Sequence, residues 1–423
     1  TFGGWSPDGK LIAYSSTRRN GKDSDIYVMN PSDPKSARIL LEVDSVGWGV
    51  EDWAPDSSRL IVERYRSADS NELYEVDVKT GHKRAITPQQ PGVSFFYAKY
   101  SGDGKGFYAA TNQSSDFRQL AYVDLSSGET TVLLPELKWD IAGIAVSKNG
   151  RRLAYTVNEG AAEVLHAMDT ATRKELAVPR LPQGTIDRFI WHSNNKNLAF
   201  SMASARSPSD VHSIDLETGK LERWTLSETG GLDPEEFVEP ELIRWKSFDG
   251  LTISGFYYKP PARFTGPRPV IIDIHGGPES QYQPGYLGRA NYFLSEAGIA
   301  IIKPNVRGSS GYGKRFMNLD NGMKREDSVK DIGALLDWIG QQKDLDSERV
   351  MVMGGSYGGF MTLAAMTHYN DRFRCAVDVV GISNFVTFLE QTEAYRRDLR
   401  RAEYGDERDP KMRDFLSTVS PVN

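Results

Sequence analysis

Along the first half of the chain, short apolar runs of strand length are separated by turn residues, and the pattern returns at a nearly constant distance. Trp5-Ser6-Pro7-Asp8-Gly9-Lys10-Leu11-Ile12-Ala13-Tyr14 comes back as Trp53-Ala54-Pro55-Asp56-Ser57-Ser58-Arg59-Leu60-Ile61-Val62, and again as Tyr100-Ser101-Gly102-Asp103-Gly104-Lys105. Weaker copies begin at Val146 and Trp191, with Asn149 and Asn194 in place of the Asp. The Asp/Asn positions 8, 56, 103, 149 and 194 are 48, 47, 46 and 45 residues apart. Each unit has an aromatic or apolar strand end, an Asp-Gly type turn that tolerates positive φ, and a β-rich run. A second run follows, as in Asp25 to Met29, Glu72 to Asp77, Gln119 to Asp124 and Val211 to Asp215, several closed by Thr-Gly or Ser-Gly. With no helical period between them, five such units over residues 1–232 predict four-stranded blades of a β-propeller; a β-solenoid or a chain of sandwiches is the alternative.

The period changes near Asp233. Asp233 to Pro240 is acidic and contains proline, and reads as a solvated linker without chemistry. Beyond it, Leu242 to Lys246 and Leu251 to Tyr258 form a predicted hairpin around Phe248-Asp249-Gly250. Strand runs Val270 to Ile274, Ile299 to Pro304, Val350 to Met353 and Cys375 to Val380 then alternate with predicted helices Arg289 to Ala297, Val329 to Gln341 and Phe360 to His368. That alternation over residues 233–423 predicts a parallel sheet wrapped by helices, with functional groups at the carboxyl ends of the strands.

Composition narrows the classes of partner. Lys plus Arg number 51 against 57 Asp plus Glu, for a formal charge of −6, and no basic block is present. Nucleic acid and anionic lipid are therefore not expected partners. No apolar run approaches the roughly 18 residues of a membrane span. The single cysteine, Cys375, excludes an internal disulfide, and six scattered histidines show no metal-ligand spacing, so neither metal nor cofactor is expected. The sequence opens at Thr1 inside its first repeat, without signal-peptide features. We expect at least one further blade upstream, with the compartment, cytoplasmic or periplasmic, and oligomerisation left open.

The chemistry lies on two loops. Gly354-Gly355-Ser356-Tyr357-Gly358-Gly359 places G-x-S-x-G between a predicted strand and a predicted helix. Such a nucleophile elbow holds its serine in a strained turn so tight that glycine is needed two residues either side. After an earlier strand comes His275-Gly276-Gly277-Pro278, where an α/β-hydrolase provides one of two oxyanion donors. The expected pair is the backbone N–H of Tyr357 and that of Gly277. His275 is expected to be structural or to line the oxyanion site, because the base of this fold follows the serine in chain order. Gly308-Ser309-Ser310-Gly311-Tyr312-Gly313-Lys314-Arg315 imitates a P-loop but has Arg315 where a magnesium-binding Ser/Thr belongs, which argues against a nucleotide.

The Pro-Asp-Gly-Lys repeats resemble the blades of TolB-like propellers. Together with His275 to Pro278, Asn305 to Gly313 and Gly354 to Gly359, the order of the two halves closely resembles the prolyl oligopeptidase family of serine peptidases, above all its acylaminoacyl-peptidase and dipeptidyl-peptidase-like branches. The resemblance implies an incomplete propeller followed by an α/β-hydrolase domain and hydrolysis of short peptides. It further implies Ser356 as nucleophile, Tyr357 and Gly277 as oxyanion donors, and a site shaped by Gly354, Gly358, His275 and the loop containing Arg307. After Ser356 the only histidine is His368, roughly 18 Å along the next helix by its rise per residue. Ser420-Pro421 resembles the point just before the family's catalytic Asp. The triad Asp and His are thus expected beyond Asn423, and residues 1–423 alone are expected to be a poor catalyst. The alternative is a non-catalytic propeller with a degenerate hydrolase module that binds peptides or partners. The Arg-rich stretch Tyr395 to Arg401 reads as a solvated helix, with recognition of a peptide carboxylate or carbonyl as the second reading.

Overall fold

The computed structural model describes the backbone of residues 1–423 and the side chains of all of them except Ala394 and Tyr395. Five four-stranded antiparallel sheets, each a simple meander, occupy Phe2 to Arg223. Their innermost strands are Phe2–Trp5, Trp48–Trp53, Phe95–Tyr100, Asp140–Val146 and Gly184–Trp191. The repeated residues explain the geometry. In all five blades the side-chain oxygen of residue 8, 56, 103, 149 or 194 accepts from the backbone N–H two residues on, at 3.0–3.1 Å. The residue between them, Gly9, Ser57, Gly104, Gly150 or Asn195, has φ between 59° and 73°. An Asx turn with a left-handed second residue is therefore what the repeat encodes. Equivalent tryptophans join neighbouring blades: Trp53 Nε1 donates to Gly4 O at 3.2 Å and Trp191 Nε1 to Ala145 O at 3.0 Å.

The second half is one six-stranded sheet. Its strands are β1 (Glu241–Lys246), β2 (Thr252–Tyr258), β3 (Arg268–Ile274), β4 (Ala300–Asn305), β5 (Leu345–Gly355) and β6 (Cys375–Val379), in the order β1-β2-β4-β3-β5-β6. Helices α1 (Asn291–Ser295), α2 (Lys314–Met317), α3 (Asp327–Gly340), α4 (Tyr357–Tyr369), α5 (Phe385–Gln391), α6 (Ala394–Tyr404) and α7 (Pro410–Thr418) surround it. The sheet is mixed rather than wholly parallel. β3, β4, β5 and β6 pair in parallel, whereas the β1-β2 hairpin adds to β4 antiparallel. A tight hairpin can only deliver antiparallel strands, so the correction follows from connection length. Alternation along the central strands covers both faces. Val270, Ile272 and Ile274 pack with α3 and α4, while Ile271 and Ile301 face the other way, toward Ala161 and Ala205 of the propeller.

Blades two to five meet this domain mainly around the turns between their second and third strands, and the link from blade two to blade three adds Gly92. Asn318 Nδ2 donates to Asp69 Oδ2 of blade two at 3.0 Å, and Lys314 N to Asp116 O of blade three at 2.8 Å. Arg315 N donates to Asp116 Oδ1 at 2.7 Å, and Lys314 Nζ to Gly92 O at 3.0 Å. Asn158 Nδ2 of blade four donates to Gln281 Oε1 at 2.6 Å. Lys314 of the P-loop imitation is thus an interdomain tie. Among the described residues no helix is long and apolar enough to cross a membrane.

Candidate active site

β5, the longest strand of the sheet, ends at Gly355, and α4 begins at Tyr357. Ser356 between them has φ 57° and ψ −117°, a conformation that an L-residue adopts only under strain. Two close approaches make it attainable. A Cβ on Gly358 would lie 2.1 Å from Ile274 O, and one on Gly354 would lie 2.4 Å from Gly358 O. The elbow is therefore pressed against the end of β3, and only glycine fits at either flank. Ser356 is exposed, and its N–H is held by Val379 O at 2.9 Å.

The end of β3 runs into His275-Gly276-Gly277, which packs on the same elbow. A Cβ on Gly276 would sit 3.4 Å from Ser356 Cβ and 3.1 Å from Gly355 O. The structure thus brings Ser356, Tyr357, Gly354, Gly358 and Gly277 to one place. The Tyr357 N–H opens α4, where helix geometry leaves it without an intrahelical acceptor. His275 is buried and makes no hydrogen bond to the serine. Its Nδ1 lies 2.7 Å from Gly276 O and its Nε2 2.9 Å from Ser309 Oγ. Burial lowers its pKa, which favours the neutral ring, held between Gly276 O and Ser309 Oγ, whose own hydroxyl donates to Val306 O at 2.6 Å. His368 lies at the far end of α4, with Nε2 2.9 Å from Glu326 Oε1.

Arg307 is not where a site-shaping residue would be. It is buried, and its guanidinium and N–H are used on Asp331 and Asp249, at 2.9–3.1 Å. These bonds brace the β1-β2 hairpin against α3, because a buried guanidinium needs carboxylate partners. The loop reaches the site instead through Ser309, which meets His275, and Ser310, whose N–H donates to Ser280 O at 2.9 Å.

A buried charged assembly behind the elbow escaped sequence reasoning. Arg325 is fully buried and donates to Asp320 at 2.5 Å, to Glu403 Oε1 at 2.6 Å and to Glu403 O at 2.8 Å. The Tyr357 hydroxyl donates to Asp320 Oδ2 at 3.0 Å and lies 2.9 Å from Ser328 Oγ. The Tyr404 hydroxyl donates to Gly277 O at 3.0 Å. Burial raises the Asp320 and Glu403 carboxyls, while Arg325 pulls both the other way. Glu403 and Tyr404 close α6, the helix expected to be merely solvated; Tyr395, at the start of that stretch, lies outside the described side chains. On its outer side the assembly borders a cavity of about 400 Å³ between the domains, lined by Tyr65 and Asp69 of blade two and by Glu279, Asn318, Arg400 and Glu403.

A blade array set over an α/β sheet, with a serine in a strained strand-to-helix turn beside a glycine loop, defines a propeller-bearing protein of the α/β-hydrolase fold. Residues 4–227 match the profile of the prolyl oligopeptidase N-terminal β-propeller domain, and residues 287–423 match that of the prolyl oligopeptidase family. The chain belongs to the prolyl oligopeptidase family of serine peptidases. It is 27% identical over 332 residues to dipeptidyl aminopeptidase BIII of Pseudoxanthomonas mexicana, covering 76% of this chain and 48% of that one. Prolyl oligopeptidase A of Galerina marginata is 24% identical over 454 residues, covering 99% and 60%. The fold is shared with a puromycin hydrolase, at a TM-score of 0.85 and 19% identity over 98% of this chain and 66% of the other. The chain spans about half the length of the first of these relatives and less than two thirds of the second.

Proposed function

We propose that the protein acts as a serine-type peptidase on short peptides, of oligopeptidase, acylaminoacyl-peptidase or dipeptidyl-peptidase type, through an acyl-enzyme on Ser356. The observation that carries this reading is the conformation of Ser356, strained, exposed and aimed from the start of α4 toward the Gly276-Gly277 loop. In the reaction Ser356 Oγ bonds to the substrate carbonyl carbon and gives its proton to a general base. The carbonyl oxygen becomes an oxyanion facing the N–H groups of Tyr357 and Gly277. The C–N bond then breaks, the proton passes to the departing amine, and water hydrolyses the ester by the reverse order of transfers. Neither His275 nor His368 is hydrogen-bonded to Ser356, and both are engaged elsewhere, so neither is the base of this scheme. The interdomain cavity, with Glu279 and Arg400 of opposite charge, suits the polar backbone and charged groups of a peptide. The peptidase and hydrolase names of the relatives support the same substrate class.

The test is covalent labelling with a fluorophosphonate. The full-length protein is expected to gain one adduct on Ser356, and its Ser356→Ala variant to gain none. Full labelling of Ser356→Ala would overturn the assignment. Peptide binding without labelling or turnover in the full-length protein would establish the alternative, a binding module with a degenerate hydrolase domain.

A further inference from the structure

We propose that Tyr404 is a positioning residue for the oxyanion hole, its hydroxyl holding the Gly277 carbonyl so that the Gly277 N–H points at the substrate oxygen. This rests on the reading of Ser356 and its two donors given above. Gly277 has φ 125°, in the region open to glycine, and has no side chain to fix its orientation. Its N–H belongs to the peptide plane whose oxygen is Gly276 O, which His275 Nδ1 holds at 2.7 Å. Its carbonyl belongs to the next plane, which Tyr404 holds at 3.0 Å. The two contacts therefore grip the planes on either side of one Cα that carries no side chain.

Tyr404 is itself immobilised. It is 1% exposed, its ring centroid lies 5.2 Å from that of Phe385 and 6.2 Å from that of Tyr357, and the Arg325 guanidinium stands 4.9 Å above it. The same guanidinium stands 5.3 Å above the ring of Tyr357, whose N–H is the other donor. Both halves of the oxyanion hole are thus referred to one buried cation, so their separation is set by packing rather than by loop entropy. Donor placement matters because a displacement of about 1 Å can cost around a hundredfold in rate.

Tyr404→Phe removes the hydroxyl and keeps the ring. The readout is fluorophosphonate labelling at varied probe concentration, which separates the maximal rate of adduct formation from the half-saturating concentration. The expected result is a maximal rate lowered roughly tenfold to a hundredfold with half-saturation within about twofold, since the donor acts on the developing charge. Ile339→Ala, a buried core residue in the last turn of α3 outside the contacts of Tyr404, should lower the melting temperature and leave the maximal rate close to wild type. A Tyr404→Phe protein that melts normally and labels at the wild-type rate overturns the proposal while leaving Ser356 as nucleophile. Equal rate losses in Tyr404→Phe and Ile339→Ala also overturn it, by reducing the Tyr404 effect to general destabilisation. A full-length protein that takes no label overturns the Ser356 reading itself.

Discussion

The propeller and the hydrolase domain use glycine in opposite ways. In the first blade turn, glycine supplies a left-handed backbone in open space: Gly9 has φ 73° and a Cβ there would meet nothing within 4 Å, whereas at Gly150 in the fourth turn a Cβ would also lie 2.5 Å from Gly102 Cα. At the elbow, Gly358 has no unusual φ, but a Cβ would strike Ile274 O at 2.1 Å. The first is a conformational requirement that Ser57 and Asn195 also meet, at φ 63° and 59°. The second is a steric requirement that no other residue meets. The repeated turn thus tolerates variation where it faces open space, as at Gly9, whereas the single-copy site does not.

The largest expected effect follows from that contrast. Gly358→Ala should cost on the order of 4 kcal/mol and abolish Ser356 labelling, because a backbone-to-backbone approach has no flexible side chain to yield. Urea unfolding monitored together with labelling checks both parts; a stable, fully labelled protein would break the comparison. Gly9→Ala should cost only about 1 kcal/mol, the strain of a left-handed Ala, with labelling unchanged. A loss as large as that of Gly358→Ala would mean that the blades are as intolerant as the site.

The smallest effect concerns pH in the propeller. Burial, together with the neighbouring Glu51 carboxylate, pushes Glu63 up to about 7, while Asn71 Nδ2 donates to its Oε1 at 2.6 Å. The folded state therefore keeps a proton that the unfolded chain releases near the ordinary 4.5. Stability falls as pH rises between these values and levels off above about 7. Glu63→Gln, uncharged throughout, should flatten the decline and raise the melting temperature by a few degrees at pH 8. Parallel slopes for the two proteins between pH 4.5 and 8 would remove Glu63 as the cause.

What could be read from the sequence follows the same division. The Asx turns were legible because Asp8, Asp56, Asp103, Asn149 and Asn194 present one local rule five times. The elbow was legible because its spacing is itself the steric condition. Arg325, Asp320, Glu403 and Tyr404 were not, since each is separated in sequence from its partners and resembles the many charged or aromatic surface residues around it. Only the fold brings a lone cation between two acids and two rings. Arg307 was misplaced for the same reason: its partners Asp249 and Asp331 lie 58 and 24 residues away. The β1-β2 hairpin, and with it one antiparallel pair, is legible from its turn, but that it joins β4 depends on contacts that no local pattern states.

The segment from Lys314 to Arg325 joins two kinds of anchorage within one short stretch. Lys314, Arg315 and Asn318 are fastened to blades two and three, and Asp320 and Arg325 are fastened behind Tyr357. Mechanically this is a strut with one end in the propeller rim and the other under the proposed oxyanion donor. A tilt of those blades pulls on the same chain that supports the Tyr357 ring, so the rim serves as an abutment for the reaction centre as well as a wall around it.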